Sequence, residues 1–214
     1  MIDVRALFCD AADAATPLAA DPALKKRFDG PSALAEFSVR GLAGHLLRAL
    51  SSLDGYLDRP TPDHAGDVVS AAEYYAAVLG GETDIDSEFH RSIRQRGVEA
   101  APETADAFPG AWTAMVARLR ARLTAEPTGR LVQVFGGLAL TLDDYVVTRL
   151  VELVVHADDL AASLGVDPPP LPGAATGLVV STLVEVARIR HGDIAVVRAL
   201  ARRERDALGA LRVI

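Results

Sequence analysis

The chain has 214 residues, 50% of them hydrophobic and 24% charged, with 22 basic against 29 acidic side chains and a formal net charge of −7. That is a sequence able to bury its own hydrophobic core without disulfide or metal staples. The acidic balance excludes a binder that works by neutralising phosphates, and it disfavours an anionic membrane surface as partner.

Aromatic residues make up 5% while Ala, Leu and Val dominate, a mixture that favours close-packed helices. The first helix starts at Asp3 as a cap and ends by Pro17 or, at the latest, Asp21-Pro22. Asp3, Arg5 and Asp10 leave it without the basic flank and unbroken apolar run of a signal peptide. Cys9, the one cysteine, excludes an intrachain disulfide and any multi-cysteine zinc or iron–sulfur site, and beside Phe8 it reads as a small core residue. A second helix follows Ser38, a good N-cap, and runs to about Leu57 before Pro60 and Pro62. Its apolar face is Leu42, Leu46, Ala49, Leu50, Leu53 and Leu57. A loop over 60–67 holds His64. Helical stretches near 68–79 and 84–98 come next, separated by Gly80-Gly81.

Pro102 suits the first turn of another helix, which continues through Trp112, Met115, Val116, Leu119 and Leu123 to Pro127. Trp112 and Met115 are expected in the core. Residues 130–141 change character: Leu131, Val132, Val134 and Phe135 precede Gly136-Gly137, and Leu138, Leu140 and Leu142 follow, as in a short hairpin. No Lys-Ser/Thr follows these glycines, so they are not a P-loop. A long helix spans about Leu142 to Leu164, closed by Gly165 and Pro168-Pro169-Pro170, and two more segments lie near 174–190 and 193–208. No run of 18 apolar residues is free of charges or Pro/Gly breaks, so no transmembrane helix is expected and the location expected is the cytoplasm. The fold class is all-α or nearly so: a four-helix bundle with additional short helices and a small β-hairpin.

The helix 142–164 carries a pattern that bears on chemistry. Tyr145, Arg149, Glu152, His156, Asp159 and Ser163 fall in one narrow stripe, while the rest of its middle is apolar apart from Thr148 and Asp158. A helix apolar nearly all round is buried, so the stripe is either a thin solvent-facing strip or the lining of an interior site. Spacing alone does not choose between them. Five histidines among 29 acidic residues in 214 meet an acid four places earlier about 0.7 times by chance, and Asp86–His90 is a second such pair. An exposed Glu–His pair supporting its helix is the plainer alternative.

His45 adds to the other side. It lies at the edge of the second helix's apolar face, with Gly41, Ala49, Ser52 and Tyr56 around it, small residues that leave room beside an imidazole. If the two helices face each other, His45 meets Glu152 and His156. Two imidazoles and a carboxylate suit a divalent ion such as Zn²⁺, and three protein ligands leave a position open, as in a catalytic site. Asp159, one turn on, would then accept a hydrogen bond from a ligand imidazole or line the pocket.

Ser38-Val-Arg-Gly-Leu-Ala-Gly-His45-Leu resembles the first ligand helix of the DinB-like, mycothiol-dependent maleylpyruvate isomerase family. Arg149-Leu-Val-Glu152-Leu-Val-Val-His156-Ala-Asp-Asp159-Leu is similar to its second ligand motif, and the tail from His191-Gly-Asp to Ala210-Leu-Arg-Val is similar to the end of many actinobacterial members. The resemblance implies a single DinB-like domain over 1–214, with a core bundle over about 1–165 and a helical extension over about 173–214. It implies His45, Glu152 and His156 as metal ligands, a divalent metal (usually zinc), and mycothiol as thiol cosubstrate. Arg149, Ser52 and Tyr56 join Asp159 as pocket residues. The family's isomerases also carry a C-terminal domain that contributes a catalytic arginine. Fifty residues follow Leu164 here, and none of Arg198, Arg202, Arg203, Arg205 and Arg212 can be matched to that role, so the resemblance leaves open whether maleylpyruvate or another small electrophile is the substrate.

Two readings of function stand. One is a transferase or isomerase in which a metal-bound thiol attacks a small electrophile. The other is a non-catalytic bundle that keeps the ligands to bind a metal or a small molecule. In both, the partner is a small molecule rather than nucleic acid or membrane, with a homodimer as the assembly to test. His64, His90 and His191 are expected in solvated or capping roles, and Cys9 is not the nucleophile. The arginines at 188–205 are either an anionic-ligand or partner surface, or a solvated face balanced by Glu185, Asp193, Glu204 and Asp206.

Overall fold

The computed structural model describes residues 3–62, 66–78, 86–134, 137–204 and 207–213. In chain order the helices are α1 (Val4–Ala14), α2 (Thr16–Ala19), α3 (Pro22–Arg27), α4 (Val39–Leu57), α5 (Ala71–Val78), α6 (Glu88–Ala100), α7 (Phe108–Ala125), α8 (Leu142–Leu164), α9 (Gly173–His191), α10 (Asp193–Ala201) and α11 (Ala207–Leu211). Two short strands, β1 (Leu131–Gln133) and β2 (Ala139–Thr141), pair antiparallel with Val132 opposite Leu140. The nearly all-helical fold with one small hairpin is thus as the sequence predicts; Gly80-Gly81, His64, Phe135-Gly136 and Arg205-Asp206 lie outside the described residues.

The bundle is the ring α1–α7–α4–α8, each helix packed on the next and α8 closing back on α1. Its ends are set by local chemistry. Asp3 accepts from the Arg5 and Ala6 amides, Ser38 from Gly41, and Thr141 from Asp144, each replacing a missing intrahelical partner. Gly165 ends α8 at φ 71°, the left-handed turn glycine accepts without strain. The predicted face of α4 is wholly buried: Leu42, Leu46, Ala49, Leu50, Leu53 and Leu57. Trp112 is fully buried too and donates its indole N–H to the Ala12 carbonyl at 3.1 Å.

Two outer helices complete the frame. α9 packs against α5, α8 and α1, and α6 lies along α4. The α4–α6 crossing is made by glycines: a Cβ built at Gly44 would stand 2.0 Å from the Gly97 carbonyl oxygen, and one at Gly97 would stand 2.5 Å from that of Gly41. Backbones in such contact leave no slack in the position of α6.

The first helix starts after its Asp3 cap and ends at Ala14, ahead of Pro17, as predicted, and the short helices α2 and α3 follow it with prolines in their first turns. Three predicted elements need correction. The stretch before α5 is not helical. The Val69 amide donates to the Ala139 carbonyl and Val68 bridges Ala139, extending the hairpin, and α5 starts only after Ser70. Ser70 and Glu73 then exchange hydrogen bonds as a capping box. Pro102 does not open a helix, because Ala101 ahead of it is extended (ψ 137°); Pro109 fills that first-turn role in α7. The segment 193–208 breaks at Arg202, which is extended, where the Arg-Arg-Glu run offers no apolar face to bury. Among the described residues no helix is long and apolar enough to cross a membrane.

Candidate metal centre and pocket

α4 and α8 face each other in opposite directions, and this brings the predicted residues together. His45 Nε2 lies 3.3 Å from Glu152 Oε2, and His156 Nε2 lies 3.3 Å from the same oxygen. One ligand atom from each of the three residues lies within 4.8 Å of the other two. The two imidazole rings meet edge to face, with centroids 4.6 Å apart. Further along, Tyr56 of α4 meets Tyr145 of α8 at 4.8 Å, which fixes the antiparallel register of the two helices.

The stripe on α8 therefore lines an interior site rather than a solvent strip. The side chains of His45, His156 and Glu152 are 16%, 18% and 20% exposed, which rules out the plain surface pair. They stand on the wall of a pocket of about 800 Å³ that also takes in Ser52, Tyr56, Tyr145, Arg149 and Asp159. Ser163 does not join it; it donates to the Asp159 carbonyl and accepts from the Ala33 amide, fastening the loop before α4.

Partners orient each ligand candidate. Asp159 Oδ2 lies 3.0 Å from His156 Nδ1, so a proton held there leaves the Nε2 lone pair directed at the site. The Tyr75 hydroxyl, buried on α5, sits 3.0 Å from Glu152 Oε1 and 2.8 Å from the Thr148 carbonyl oxygen, its one proton serving either acceptor. Glu152 thus offers Oε2 to the imidazoles while Oε1 is occupied. His45 Nδ1 is buried with no hydrogen-bond partner among the described residues.

The electrostatics follow from this grouping. Burial alone would raise the Glu152 carboxyl, but the two imidazoles and the Arg149 guanidinium outweigh it and hold the group well below the usual carboxylate range. Burial would lower His156, yet its hydrogen bonds to Asp159 and Glu152 prevail and push it up to about 9. For His45 burial wins, and its affinity for protons falls below that of a free imidazole.

The donors fit a divalent ion. Bonds of about 2.0–2.1 Å in tetrahedral array place neighbouring ligand atoms roughly 3.3–3.4 Å apart, the spacing of both imidazole nitrogens from Glu152 Oε2. A direct charge-assisted N–H···O bond would be shorter, about 2.7–2.9 Å.

Several pocket residues carry no readable signal in the sequence. Tyr75 comes from a short helix of Ala, Tyr and Val with Glu73 its one charge, Arg48 looks like any solvated arginine one turn after His45, and His90, expected in a solvated or capping role, is on the pocket wall with Ile93 and Arg96 of α6. Cys9 is 2% exposed, and burial pushes its thiol up to about 11, as a core residue requires.

Residues 8–161 match the family model described as the mycothiol maleylpyruvate isomerase N-terminal domain. The chain belongs to this family. Among solved structures it is similar to a mycothiol-dependent maleylpyruvate isomerase (TM-score 0.54, 16% identity) and to a histidine-to-alanine mutant under the same description (TM-score 0.52, 16% identity). Each match covers 85% of this chain and 67% of that one, so the family member described here spans about two-thirds of their length. At that identity the likeness shows a shared fold. No curated protein sequence matches.

Proposed function

We propose that this family member is a metal-dependent enzyme in which a low-molecular-weight thiol, mycothiol by family membership, adds to an electrophilic carbon of a small substrate. The observation that carries the reading is the convergence of His45 Nε2, His156 Nε2 and Glu152 Oε2 on the wall of a pocket large enough for two small reactants. A zinc-like ion held by these residues would keep a thiol ionised near neutral pH, where a free thiol is only a few per cent thiolate.

The rest falls to the chain's own side chains. Asp159 fixes the His156 tautomer, and the Tyr75 hydroxyl, set against the Thr148 carbonyl, holds Glu152 in place. Tyr56, Tyr145 and Val155 give the pocket dry walls that strengthen charge interactions inside it. Cys9, buried and far from ionising, leaves the sulfur nucleophile to an external thiol. Transfer would retain the new S–C bond; isomerisation would break it again.

Metal analysis of the purified protein should give up to one divalent ion per chain, with zinc the ion expected. His45→Ala should lower that content strongly; unchanged stoichiometry and affinity would refute the ligand set. Turnover of an electrophile panel that includes maleylpyruvate should need both metal and mycothiol and should survive Cys9→Ser. Thiol-independent turnover would overturn the mechanism, and metal-loaded protein that binds no thiol would mark a binding module instead.

A further inference from the structure

The pocket has a second pole one helical turn from the candidate metal centre. Arg48 follows His45 by three residues on α4, and Arg149 precedes Glu152 by three on α8. Because these helices run antiparallel, with His45 opposite Glu152 and Tyr56 opposite Tyr145, the two arginines fall at the same level between those contacts. Both line the pocket, as does Arg96 from α6.

Neither the Arg48 nor the Arg149 guanidinium makes an ion pair among the described residues, although the Glu152 charge one turn along α8 favours the Arg149 cation. Arg149 is part-buried; its Nε donates to Thr148 Oγ1 at 3.1 Å and its guanidinium lies 5.1 Å from the Tyr145 ring centroid. Its terminal nitrogens have no partner among the described residues, and the Arg48 guanidinium has neither a hydrogen bond nor an ion pair there. Three other part-buried arginines have carboxylate partners, Arg5 with Asp143, Arg122 with Asp54 and Asp58, and Arg130 with Glu126, while the Arg40 guanidinium has only the Phe28 ring among the described residues. Burial and the charges of Arg96 and Arg149 together lower the Arg48 pKa, so like charges crowd Arg48, whereas Tyr145 and Glu152 favour the charged form of Arg149. Folding gains nothing from such crowding; an anion in the pocket would relieve it.

We infer that Arg48 and Arg149 form a receptor for a carboxylate group, placed so that a small carboxylic acid bound there holds its reactive carbon beside the candidate metal centre. Two planar guanidinium forks from opposing helices match the two oxygens of a carboxylate. Three residues of helix rise set the receptor about 4.5 Å along the axes from the ligand residues, a separation of a few covalent bonds. The substrate class is then a short electrophilic acid, with Tyr145 walling its carbon chain. Arg96, which is exposed and donates to Ser92 Oγ, supplies long-range attraction at the mouth.

As an account of the substrate this rests on the thiol-addition reading, but its test does not. Calorimetric titration of metal-loaded protein with succinate and with uncharged succinamide, no thiol present, should show binding of the acid and little of the amide. Arg48→Gln and Arg149→Gln should each weaken succinate roughly tenfold to a hundredfold, as loss of a charge-assisted bond does, with metal content and thermal unfolding unchanged. Arg48→Lys and Arg149→Lys, which keep the charge but lose the fork, provide folded intermediates with partial loss. Succinate affinity equal to that of succinamide would overturn the proposal. So would full affinity in both glutamine variants, which would leave the metal alone holding the carboxylate.

A second arm locates the carboxylate. With an uncharged thiol, kcat/KM for acrylate over acrylamide, each relative to its uncatalysed rate, should favour the acid and lose that preference in Arg149→Gln. Preference for a carboxylate-bearing thiol on acrylamide instead would assign the receptor to the thiol and overturn the substrate assignment. Absence of all turnover alongside arginine-dependent succinate binding would count against the thiol reading and leave the receptor standing.

Discussion

Two glycines on one helix should respond to alanine in opposite directions. At Gly44 an added Cβ would stand 2.0 Å from the Gly97 carbonyl oxygen, 2.8 Å from the Ala101 amide nitrogen and 2.9 Å from the Ala101 Cβ. Ordinary contact begins near 3.4 Å, so α6 must retreat by more than 1 Å, and the obstacles are mostly backbone that cannot rotate away. Overpacking of this kind costs about 1–3 kcal/mol, toward the upper end when backbone must move. Alanine's better helix propensity returns about 1 kcal/mol, leaving a net loss of about 2. At Gly55, eleven residues on, a Cβ meets nothing within 4 Å, and only the propensity gain of about 0.5–1 kcal/mol remains. For a chain of this size 1 kcal/mol shifts the midpoint by about 2–4 °C, so Gly44→Ala should unfold some 4–8 °C lower and Gly55→Ala about 1–4 °C higher. Thermal unfolding followed by circular dichroism on protein of matched metal content decides it. Hydrogen exchange should show the Gly44→Ala loss concentrated in α6, the helix that carries Ile93 and Arg96 to the pocket. Two variants stabilised alike would mean that α6 does not cross α4 at these glycines, and the α6 wall of the pocket would fall with that contact.

Tyr75→Phe removes the hydroxyl bonded to Glu152 and Thr148; metal affinity should drop about tenfold or more and stability by about 1–2 kcal/mol, measured by competitive chelation and denaturant unfolding. Asp159→Asn should weaken metal binding less than His45→Ala, since it acts through His156; an equal or larger loss would make Asp159 a ligand itself. Burial raises the Asp54 carboxyl, but hydrogen bonds from Arg118 and Arg122 outweigh burial and lower it. Its unfolded value is near 4, so the stability it adds is present above about pH 4 and lost as pH falls through the lower folded value. The melting-temperature gap between wild type and Asp54→Asn should therefore be wide at pH 7 and narrow by pH 3; a constant gap would refute the linkage.

What was legible in the chain was whatever depends on neighbours within a few residues. Ser38, Thr141 and Gly165 mark their helix ends by chemistry confined to one turn, and the period of three and four in α4 names its buried face residue by residue. The features that escaped depend on distant partners. Glu152 is 77 residues from the Tyr75 hydroxyl it accepts from, and Ala71-Ala-Glu-Tyr-Tyr-Ala-Ala-Val78 has too little polar contrast to say which tyrosine turns inward. The Gly44–Gly97 crossing that places α6 likewise leaves no local trace beyond two glycines in helices, where propensity alone would count them as defects. The break at Arg202 went unseen because residues after Ala201 keep good helix propensity while losing the apolar face that tertiary packing needs.

The stripe on α8 lies between these cases, and its logic reaches beyond this chain. Leu150, Val151, Leu153, Ala157, Leu160 and Ala161 are buried on several sides of the helix by α1, α4 and α9, so no broad face remains for solvent. Ionisable groups on the narrow strip left over cannot all be hydrated from outside, and each must find a partner or a cavity. Glu152, His156 and Asp159 found one another; Arg149 bonds a hydroxyl, lies against a ring and feels Glu152 from one turn away without pairing with it. The first outcome supplies a donor set for a cation, and the second an unpaired cation for an anion, one turn apart in the same pocket. Opposite demands set side by side in this way are what a site needs if it is to hold a metal and an acid at once.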